Sequence, residues 1–309
     1  MEVNVAPQFV YLVQGQSTNL EKYGHLKHKN SDLFLLAYDK VPENSHTEST
    51  VLYLPNSTWA EGRNALLEKA RQKEHDYLYF IFLDDDVEVV KGSFGQFEKF
   101  LLENQPMMGV PLCDQIADTF RYESNTEIHH PVAFDQIVQA YHRDAVQESI
   151  AIPYRTELDS ESWWYACQIN QFLTLRYYRG RCAQLNSFEI RNVSHRWSEE
   201  TENGYQTSVD TSYVSGVTEK GLKACSKIIE DAFGPQPKII NSLFHPRYMP
   251  KERYGPSLKW IIANYKNLSV TQIVRKILSM TRAKGTSIIY QLLYRKSLIR
   301  FEEFQVYHS

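Results

Sequence analysis

The first third of the chain alternates between short apolar runs and a stretch with helical periodicity. Apolar runs at residues 8–13, 32–38 and 50–54 each end in turn-forming polar residues, so each predicts a strand. Residues 58–72 carry a partial apolar stripe at helical spacing and predict a helix. Residues 77–83 are consecutive apolar residues, the pattern of a central strand that is covered on both faces.

Predicted elements continue in the same rhythm up to about residue 235. They are a helix over 92–103, a strand over 107–112, a helix over 159–178 that Asp159 or Ser160 would cap, a strand over 183–190 and a helix over 221–233. Residues 113–158 are less regular, and we expect them to include a long functional loop. Because strands and helices alternate, we expect an α/β fold with a mostly parallel sheet flanked by helices.

The charge divides the chain into two parts. The net charge at pH 7 is only −3, but residues 236–309 hold 13 Lys and Arg and three acids, so the preceding residues are acidic. We expect one domain over 1–235, with halves 1–112 and 113–235, and a basic helical segment over 236–309. The amphipathic patterns of that segment suit either packing on the domain or peripheral contact with an anionic membrane. No nucleic-acid-binding module accompanies the charge, so nucleic acid is not an expected partner.

Several classes of protein are excluded by what the sequence lacks. No apolar run approaches the length of a membrane span, and the N-terminus has no signal-peptide pattern. The four cysteines form no Cys-x-x-Cys pair, so we expect reduced thiols in a soluble, cytoplasmic protein. The absence of GxGxxG, GxxxxGK(S/T), GxSxG and HExxH motifs counts against dinucleotide enzymes, P-loop NTPases, serine hydrolases and zincins.

Three adjacent carboxylates, Asp84-Asp85-Asp86, directly follow the most apolar predicted strand. In open α/β sheets, ligands bind outside the carboxyl ends of the strands, which is where this cluster falls. Oxygen ligands at such a point suit Mg²⁺ or Mn²⁺ shared with phosphate oxygens. A solvated acidic turn is the alternative interpretation.

The surroundings of this cluster resemble a known family. The helical segment Gly62-Arg63-Asn64-Ala65-Leu66-Leu67, the apolar strand and the Asp triplet resemble the nucleotide-sugar half of GT-A glycosyltransferases. In those enzymes a GRN-type segment, a hydrophobic strand and a DxD motif follow in that order. The resemblance covers residues 8–112 in the order of elements and residues 59–88 in detail. It implies a GT-A-like fold and a nucleoside-diphosphate sugar, first of all a UDP-sugar, as donor.

The same resemblance implies a role for each residue of the donor site. Asp84 would approach the ribose, with Asp85 beside it in the donor site. Asp86 would bind the metal, which is expected to be Mn²⁺ or Mg²⁺. Asp39, after the second strand, would lie near the base. Arg63 would either face the phosphates or hold the DxD loop.

The second half of the domain must supply the acceptor chemistry. Transfer with inversion needs one base that takes the proton of the acceptor hydroxyl. Asp159 and Glu161 stand at a predicted helix start that resembles the position of this base in inverting GT-A enzymes, and Asp159 is preferred. Trp163 and Trp164 would offer aromatic surface to a sugar, and Asp135 would contact the acceptor or donor sugar. Helix capping and core packing are the structural alternatives for these residues.

Many GT-A enzymes complete the metal site with a histidine downstream of the DxD motif. His195 lies 109 positions after Asp86, behind a predicted strand, and His245 is its rival. Secretory members have an N-terminal membrane anchor, which this sequence does not show, and soluble members occur in bacteria and large DNA viruses. The Trp163-Trp164 helix and the Asn-x-x-His segment that ends at His195 loosely resemble the viral group. In such an enzyme the basic segment would also suit a lid over the donor site.

The sequence therefore predicts an inverting, metal-dependent glycosyltransferase. It would move a hexose or pentose from a nucleotide sugar to a hydroxyl of a glycan or glycoprotein. Two alternatives stay open: a nucleotidyltransferase that acts on a sugar phosphate, and a non-enzymatic, lectin-like protein whose acidic turn binds Ca²⁺. The lack of a Gly-rich, basic phosphate loop counts against the nucleotidyltransferase.

Overall fold

The structure is a computed structural model that describes most of the predicted domain. The described residues are 7–42, 49–73, 75–113, 127–129, 131, 134–178, 181–193 and 218–233. The basic segment over 236–309 lies outside them, and so do His195 and His245.

Strands and helices alternate along the described chain. The strands are β1 (Phe9–Gly15), β2 (Ser31–Ala37), β3 (Thr50–Tyr53), β4 (Tyr79–Asp84), β5 (Val87–Lys91), β6 (Met108–Cys113), β7 (Ile128–His129), β8 (Val138–His142) and β9 (Cys182–Asn192). The helices are α1 (Ser17–Leu20), α2 (Trp59–Arg71), α3 (Phe94–Asn104), α4 (Arg143–Glu148), α5 (Trp163–Tyr177) and α6 (Glu219–Phe233), and a 3₁₀ helix (Glu21–Leu26) follows α1.

All of these strands belong to one sheet. Its order is β3-β2-β1-β4-β8-β6-β9-β5, and β7 also pairs with β9. Six strands run in one direction, namely β1, β2, β3, β4, β6 and β9, whereas β5, β7 and β8 run in the other. The predicted α/β fold with a mostly parallel sheet flanked by helices is confirmed.

The central strand β4 is buried on both faces, as its apolar run predicts. Phe80 and Phe82 pack on the face that α2 and α5 cover, and Tyr79, Ile81 and Leu83 pack on the face covered by the 3₁₀ helix and α3. Each such side chain contributes roughly 1.5–3 kcal/mol through burial. The point at which the chain leaves β4 is therefore fixed from both sides of the sheet.

The segment 113–158, for which the sequence predicts a long loop but no regular element, also contains β8 and α4. All five residues of β8 are buried, but Gln139 and His142 interrupt the apolar pattern that identifies a strand. Gln139 is tolerated there because Arg63, Tyr154 and Asn170 satisfy its amide group.

The predicted start of the helix over 159–178 is wrong. α5 begins at Trp163, and the N-cap is Ser162, whose hydroxyl accepts a hydrogen bond from the Trp164 amide. Asp159 and Ser160 lie in the preceding turn, in which the Asp159 and Glu161 amides donate to backbone carbonyls three residues back. In this turn the amides of Glu161 and Ser162 already donate to the Leu158 carbonyl, so they are not free to be capped by Asp159.

The strand order reverses at β1, because β2 and β3 lie on one side of it and β4 on the other. In open α/β sheets the crevice outside the carboxyl ends at such a reversal binds ligands. Three segments leave the sheet at this edge: residues 16–17 after β1, residues 38–39 after β2 and residues 85–86 after β4. The predicted donor residues therefore meet at one place in the fold.

Candidate functional site

Two side chains of α2 hold Asp84, the first carboxylate of the DxD loop (residues 84–86). Asp84 Oδ1 accepts a hydrogen bond from Arg63 Nη2 at 2.7 Å, and Oδ2 accepts one from Trp59 Nε1 at 3.2 Å. The Arg63 guanidinium also lies 4.1 Å from the centre of the Trp59 ring. Burial raises the pKa of Asp84, and the Arg63 charge opposes that shift. Both oxygens of Asp84 are thus oriented by the protein itself.

Arg63 is fully buried and bonds to protein groups on several sides. Besides Asp84, it donates to the Gln136 carbonyl at 2.8 Å, to Gln139 Oε1 at 3.2 Å and to the Tyr154 hydroxyl at 3.1 Å. The charge of Asp84 raises the pKa of Arg63 against the effect of burial, so the guanidinium stays protonated. Of the two roles that the sequence left open, this geometry matches the one in which Arg63 holds the DxD loop.

Asp85 joins the DxD loop to the loop after β1. Its Oδ2 accepts hydrogen bonds from the Gln16 amide and from Asn19 Nδ2, both at 2.8 Å. Its side chain lies directly over Gly15, where a Cβ would come within 2.0 Å of Asp85 Cβ and Cγ. A side chain at residue 15 would therefore displace Asp85 from the predicted donor site.

Asp39 orders the same loop from the neighbouring strand. Its carboxylate accepts hydrogen bonds from the Ser17 amide at 2.8 Å and from the Ser17 hydroxyl at 3.1 Å. The Ser17 amide is the main cause that lowers the pKa of Asp39. Beside it, burial and the charges of the DxD carboxylates and Asp39 raise the pKa of Tyr38 to about 12. The carboxyl edge of β1, β2 and β4 is thus strongly negative.

Asp86 lies next to the segment that leads to His195. The Val193 amide donates to the Asp86 carbonyl at 3.0 Å, which extends the pairing of β5 with β9. His195 follows two residues later, outside the described residues. Carboxylate oxygen suits Mg²⁺ and Mn²⁺, so Asp86 fits the predicted cation in chemical type. Within the part of the chain that the structure describes, no three His, Cys, Asp or Glu side chains are arranged to hold a metal.

Asp135 lies in the turn before β8, beside Asp84. The Asp84 amide donates to the Ile137 carbonyl, and the Ile137 amide donates to Asp135 Oδ1, both at 3.0 Å. Arg63 Nη2 bonds both Asp84 Oδ1 and the Gln136 carbonyl, which ties this turn to the DxD loop. Burial raises the pKa of Asp135 to about 6, and the charge of Asp84 acts in the same direction.

The two predicted bases, Asp159 and Glu161, contact different elements. Asp159 Oδ2 accepts a hydrogen bond from the hydroxyl of Thr58, the N-cap of α2. Asp159 Oδ1 is buried and has no hydrogen-bond partner within the described residues. Burial raises the pKa of Asp159. Glu161 is exposed, and its carboxylate lies beside Gly221 at the start of α6.

The paired indoles stand on the first turn of α5. Trp163 and Trp164 are both partly exposed, and Trp164 packs against the core and against the Tyr165 ring, with ring centres 5.9 Å apart. The Tyr165 hydroxyl accepts a hydrogen bond from the Thr218 amide at 2.8 Å and so attaches α6 to α5. Trp164 thus has a packing role, whether or not a sugar contacts its exposed surface.

Sequence reasoning missed the side chains that surround Arg63, namely Trp59, Gln139 and Tyr154. Trp59 was detectable, because residues four apart on a helix share a face and Arg63 is four residues on. Gln139 and Tyr154 reach Arg63 from β8 and from the loop before α5. Their distance along the chain from the GRN segment leaves no local pattern that could have identified them.

None of the helices in the described ranges has the length and apolar character required to cross a membrane.

No protein-family model and no curated protein matches this chain. Among solved structures, it is similar to residues 1–349 of S. aureus TarS, with a TM-score of 0.41 and 14% identity over 59% of this chain and 60% of that one. The complex of the same TarS fragment with UDP has a TM-score of 0.38 and 14% identity, with 60% of each chain covered. A197 from STIV has a TM-score of 0.37 and 12% identity, with 59% and 84% covered. The chain thus spans less than two thirds of the TarS fragment.

Proposed function

We propose that this chain is a divalent-cation-dependent glycosyltransferase. It would transfer a sugar from a nucleoside diphosphate, in the first instance UDP, to a hydroxyl group of a glycan or glycoprotein, with inversion at the anomeric carbon. The observation that supports this most is the placement of the DxD loop. It leaves the sheet beside the reversal of strand order, where open α/β sheets bind ligands. Arg63 and Trp59 from one side, and Gln16 and Asn19 from the other, fix its carboxylates.

The carboxylates at this edge of the sheet would have different roles. Asp84 and Asp85 already bond to protein donors, so they shape the donor site, and Asp39 stabilises the loop beneath the nucleotide. Asp86 would bind the cation, and His195 would complete its coordination. When bound, Mn²⁺ or Mg²⁺ would offset the negative charge of the leaving diphosphate.

A panel of nucleotide sugars tests this proposal, with release of free nucleoside diphosphate measured with and without Mn²⁺. The full chain should hydrolyse at least one donor slowly in a Mn²⁺-dependent manner, and Asp86→Ala should lose at least 100-fold of that rate. Glu88→Ala is the matched control, because Glu88 is an exposed acid two residues away on β5 and should retain the rate.

The same assay separates the competing functions. Turnover of nucleoside triphosphates with release of pyrophosphate would contradict the proposal in favour of a nucleotidyltransferase. Binding of Ca²⁺ without any response to nucleotides, measured as thermal stabilisation, would contradict it in favour of a non-enzymatic protein.

A further inference from the structure

The DxD loop joins two strands that are not neighbours in the sheet. Only residues 85 and 86 separate β4 from β5, which is the connection length of a β-hairpin. In a hairpin, ladder bonds between the two strands fix both ends of the loop. Here β4 pairs with β1 and β8, whereas β5 stands at the end of the strand order and pairs with β9. Groups outside β4 and β5 must therefore fix the width of this loop.

The hydroxyl of Tyr23, a residue of the 3₁₀ helix, lies at the base of the DxD loop. It donates a hydrogen bond to the Asp84 carbonyl at 3.0 Å and accepts one from the Val87 amide at 3.3 Å. The Val87 carbonyl, at 3.4 Å, is a weaker second acceptor. Residues 84 and 87 flank the two loop residues, and their carbonyl and amide are the groups that a β-turn joins. One hydroxyl thus bonds both backbone groups that define the opening of the loop.

The core holds Tyr23 in place. Its side chain is buried, and it belongs to the same hydrophobic cluster as Leu83 and Val87, which lie on either side of the loop. Burial and the charges of the DxD carboxylates raise the pKa of Tyr23. The hydroxyl therefore keeps its proton and remains a donor to the Asp84 carbonyl.

The residues just before Tyr23 hold the side chain of Asp85. The Gln16 amide and Asn19 Nδ2 both donate to Asp85 Oδ2 at 2.8 Å. Residues 16–23 thus bond the DxD loop in two ways, through one carboxylate and through the backbone at residues 84 and 87. The contact is built from one continuous stretch of chain, which runs from the end of β1 into the 3₁₀ helix.

Asp86, the expected cation ligand, takes its orientation from the backbone on both sides of it. Its carbonyl accepts the Val193 amide at 3.0 Å, and the amide of the next residue, Val87, donates to the Tyr23 hydroxyl. Asp86 therefore stands between two anchored peptide groups, one tied to the residue after β9 and the other to the 3₁₀ helix. A ligand that is oriented before binding loses less conformational entropy when the cation arrives.

We propose that Tyr23 is a positioning residue of the cation site: its hydroxyl sets the opening of the DxD loop and so the direction in which Asp86 presents its carboxylate. The inference rests on the proposed function, because it concerns the cation that Asp86 would bind. Without the hydroxyl, the Asp84 carbonyl and the Val87 amide lose their shared partner and must bond each other or water. The loop would then relax and bind the cation more weakly, although every carboxylate is still present.

The test compares Tyr23→Phe with Tyr79→Phe in the full chain. Tyr23→Phe removes the hydroxyl and keeps the ring in the core. Tyr79→Phe is the matched control, because Tyr79 is buried in the same hydrophobic cluster and its hydroxyl donates to the Pro106 carbonyl at 2.9 Å. Tyr79 begins β4, so its hydroxyl lies at the opposite end of that strand from the DxD loop. Urea unfolding should show that both variants fold and lose similar stability.

UDP is the probe, titrated calorimetrically without Mn²⁺ and at a series of Mn²⁺ concentrations. The Mn²⁺ concentration that gives half of the gain in UDP affinity should rise at least about tenfold in Tyr23→Phe, because groups that orient a metal ligand typically have effects of this size or larger. The UDP affinity of Tyr23→Phe without Mn²⁺ should stay within about threefold of wild type. Tyr79→Phe should match wild type in both measurements.

Four results would overturn the inference. A rise below about tenfold in Tyr23→Phe would show that the hydroxyl does not position the ligand, and an equal rise in Tyr79→Phe would attribute the effect to lost stability. An equal loss of UDP affinity without Mn²⁺ would mean that the hydroxyl acts on the nucleotide, and failure of Tyr23→Phe to fold would make it a requirement of the fold. In all four cases the wild-type protein still binds UDP with Mn²⁺, so the proposed function survives. If wild type shows no Mn²⁺-dependent binding of UDP, both fail together.

Discussion

At the scale of single residues, Arg63 is the group on which the site depends most. It is fully buried, and it bonds Asp84 as well as backbone and side-chain oxygens from the segment that includes β8. A buried ion pair adds little net stability compared with apolar groups of the same shape, but the loss of one partner leaves the other charge uncompensated. Arg63 and Asp84 should therefore behave as a unit in mutants.

Arg63→Met should lower the free energy of unfolding by roughly 3–5 kcal/mol, because it leaves Asp84 buried without its cation. Lys99→Met, which breaks an exposed pair with Glu103, should cost less than about 1 kcal/mol. Urea unfolding of both variants checks this. The double variant Arg63→Met/Asp84→Asn should recover part of that loss. A loss below about 1 kcal/mol in Arg63→Met would contradict the role given to this pair.

Asp135 should reduce the stability of the folded protein at neutral pH. Its pKa is raised from an ordinary value of 3.8 to about 6, so protonation favours the folded state. The stability that its neutral form contributes is complete below about pH 4 and is lost as the pH rises through about 6. Asp135→Asn should therefore raise the free energy of unfolding at pH 7.5, by about 2–3 kcal/mol.

The gain from Asp135→Asn should shrink as the pH falls and vanish near pH 4, which unfolding curves of both proteins at several pH values would show. A gain that does not depend on pH would mean that Asp135 titrates normally.

At the scale of elements, the N-terminus of α2 connects the two halves of the site. Thr58 and Glu61 form a capping box, in which each side chain accepts a hydrogen bond from the backbone amide of the other residue. The Thr58 hydroxyl also donates to Asp159, and the next residue, Trp59, donates to Asp84. The turn before α5 and the DxD loop are thus both fastened to one turn of helix.

Thr58→Ala should destabilise the protein more than the loss of an ordinary N-cap hydroxyl does. Removal of a capping hydroxyl costs typically about 1 kcal/mol, and here the partly buried Asp159 also loses its donor. Ser93→Ala is the matched control, because the Ser93 hydroxyl caps α3 by accepting a hydrogen bond from the Gln96 amide. Denaturant unfolding should rank Thr58→Ala as more destabilised, and Thr58→Ser should restore most of the loss. Equal losses in the two Ala variants would refute the link to Asp159.

The contact between α5 and α6 should depend on the absence of a side chain at Gly221. A Cβ there would come within 2.0 Å of the Tyr165 hydroxyl, so Gly221→Ala must shift α6 or Tyr165. We expect a loss of roughly 1–3 kcal/mol in thermal or denaturant unfolding. Gly24→Ala serves as the control, because its Cβ would meet nothing within 4 Å, and it should be nearly neutral. A neutral Gly221→Ala would mean that α6 is not packed as described.

At the scale of the whole molecule, the sequence predicts the sheet better than it predicts the site. The apolar runs that became β1, β2, β3, β4, β6 and β9 are read directly from local pattern, because burial on both faces leaves consecutive apolar residues. β8 was missed because Gln139 and His142 interrupt its apolar pattern, and the partners that satisfy the buried Gln139 are tertiary contacts that no local pattern reveals. The cap at Ser162 was missed because Asp159 and Ser160 are equally good capping residues by type.

Among the residues of the candidate site, the carboxylates that directly follow a strand were the easiest to place from the sequence. Asp39 and the DxD loop come directly after β2 and β4, so the fold brings them to one edge. Asp159 and Glu161 were identified by their place before a helix, whereas the surroundings of Asp135 depend on β4 and β8 being neighbours. That antiparallel pairing joins segments far apart in the chain, and its register cannot be derived from composition or periodicity alone.

The central claim is that the DxD edge binds a nucleoside diphosphate through a cation on Asp86. Calorimetric titration of the full chain with UDP, with and without Mn²⁺, tests it most directly, with Asp86→Ala and Glu88→Ala in parallel. We predict that wild type and Glu88→Ala bind UDP at least tenfold more tightly with Mn²⁺ than without it, and that Asp86→Ala loses this difference. Equal UDP affinity with and without Mn²⁺ in all three proteins, or no UDP binding by any of them, would contradict the account.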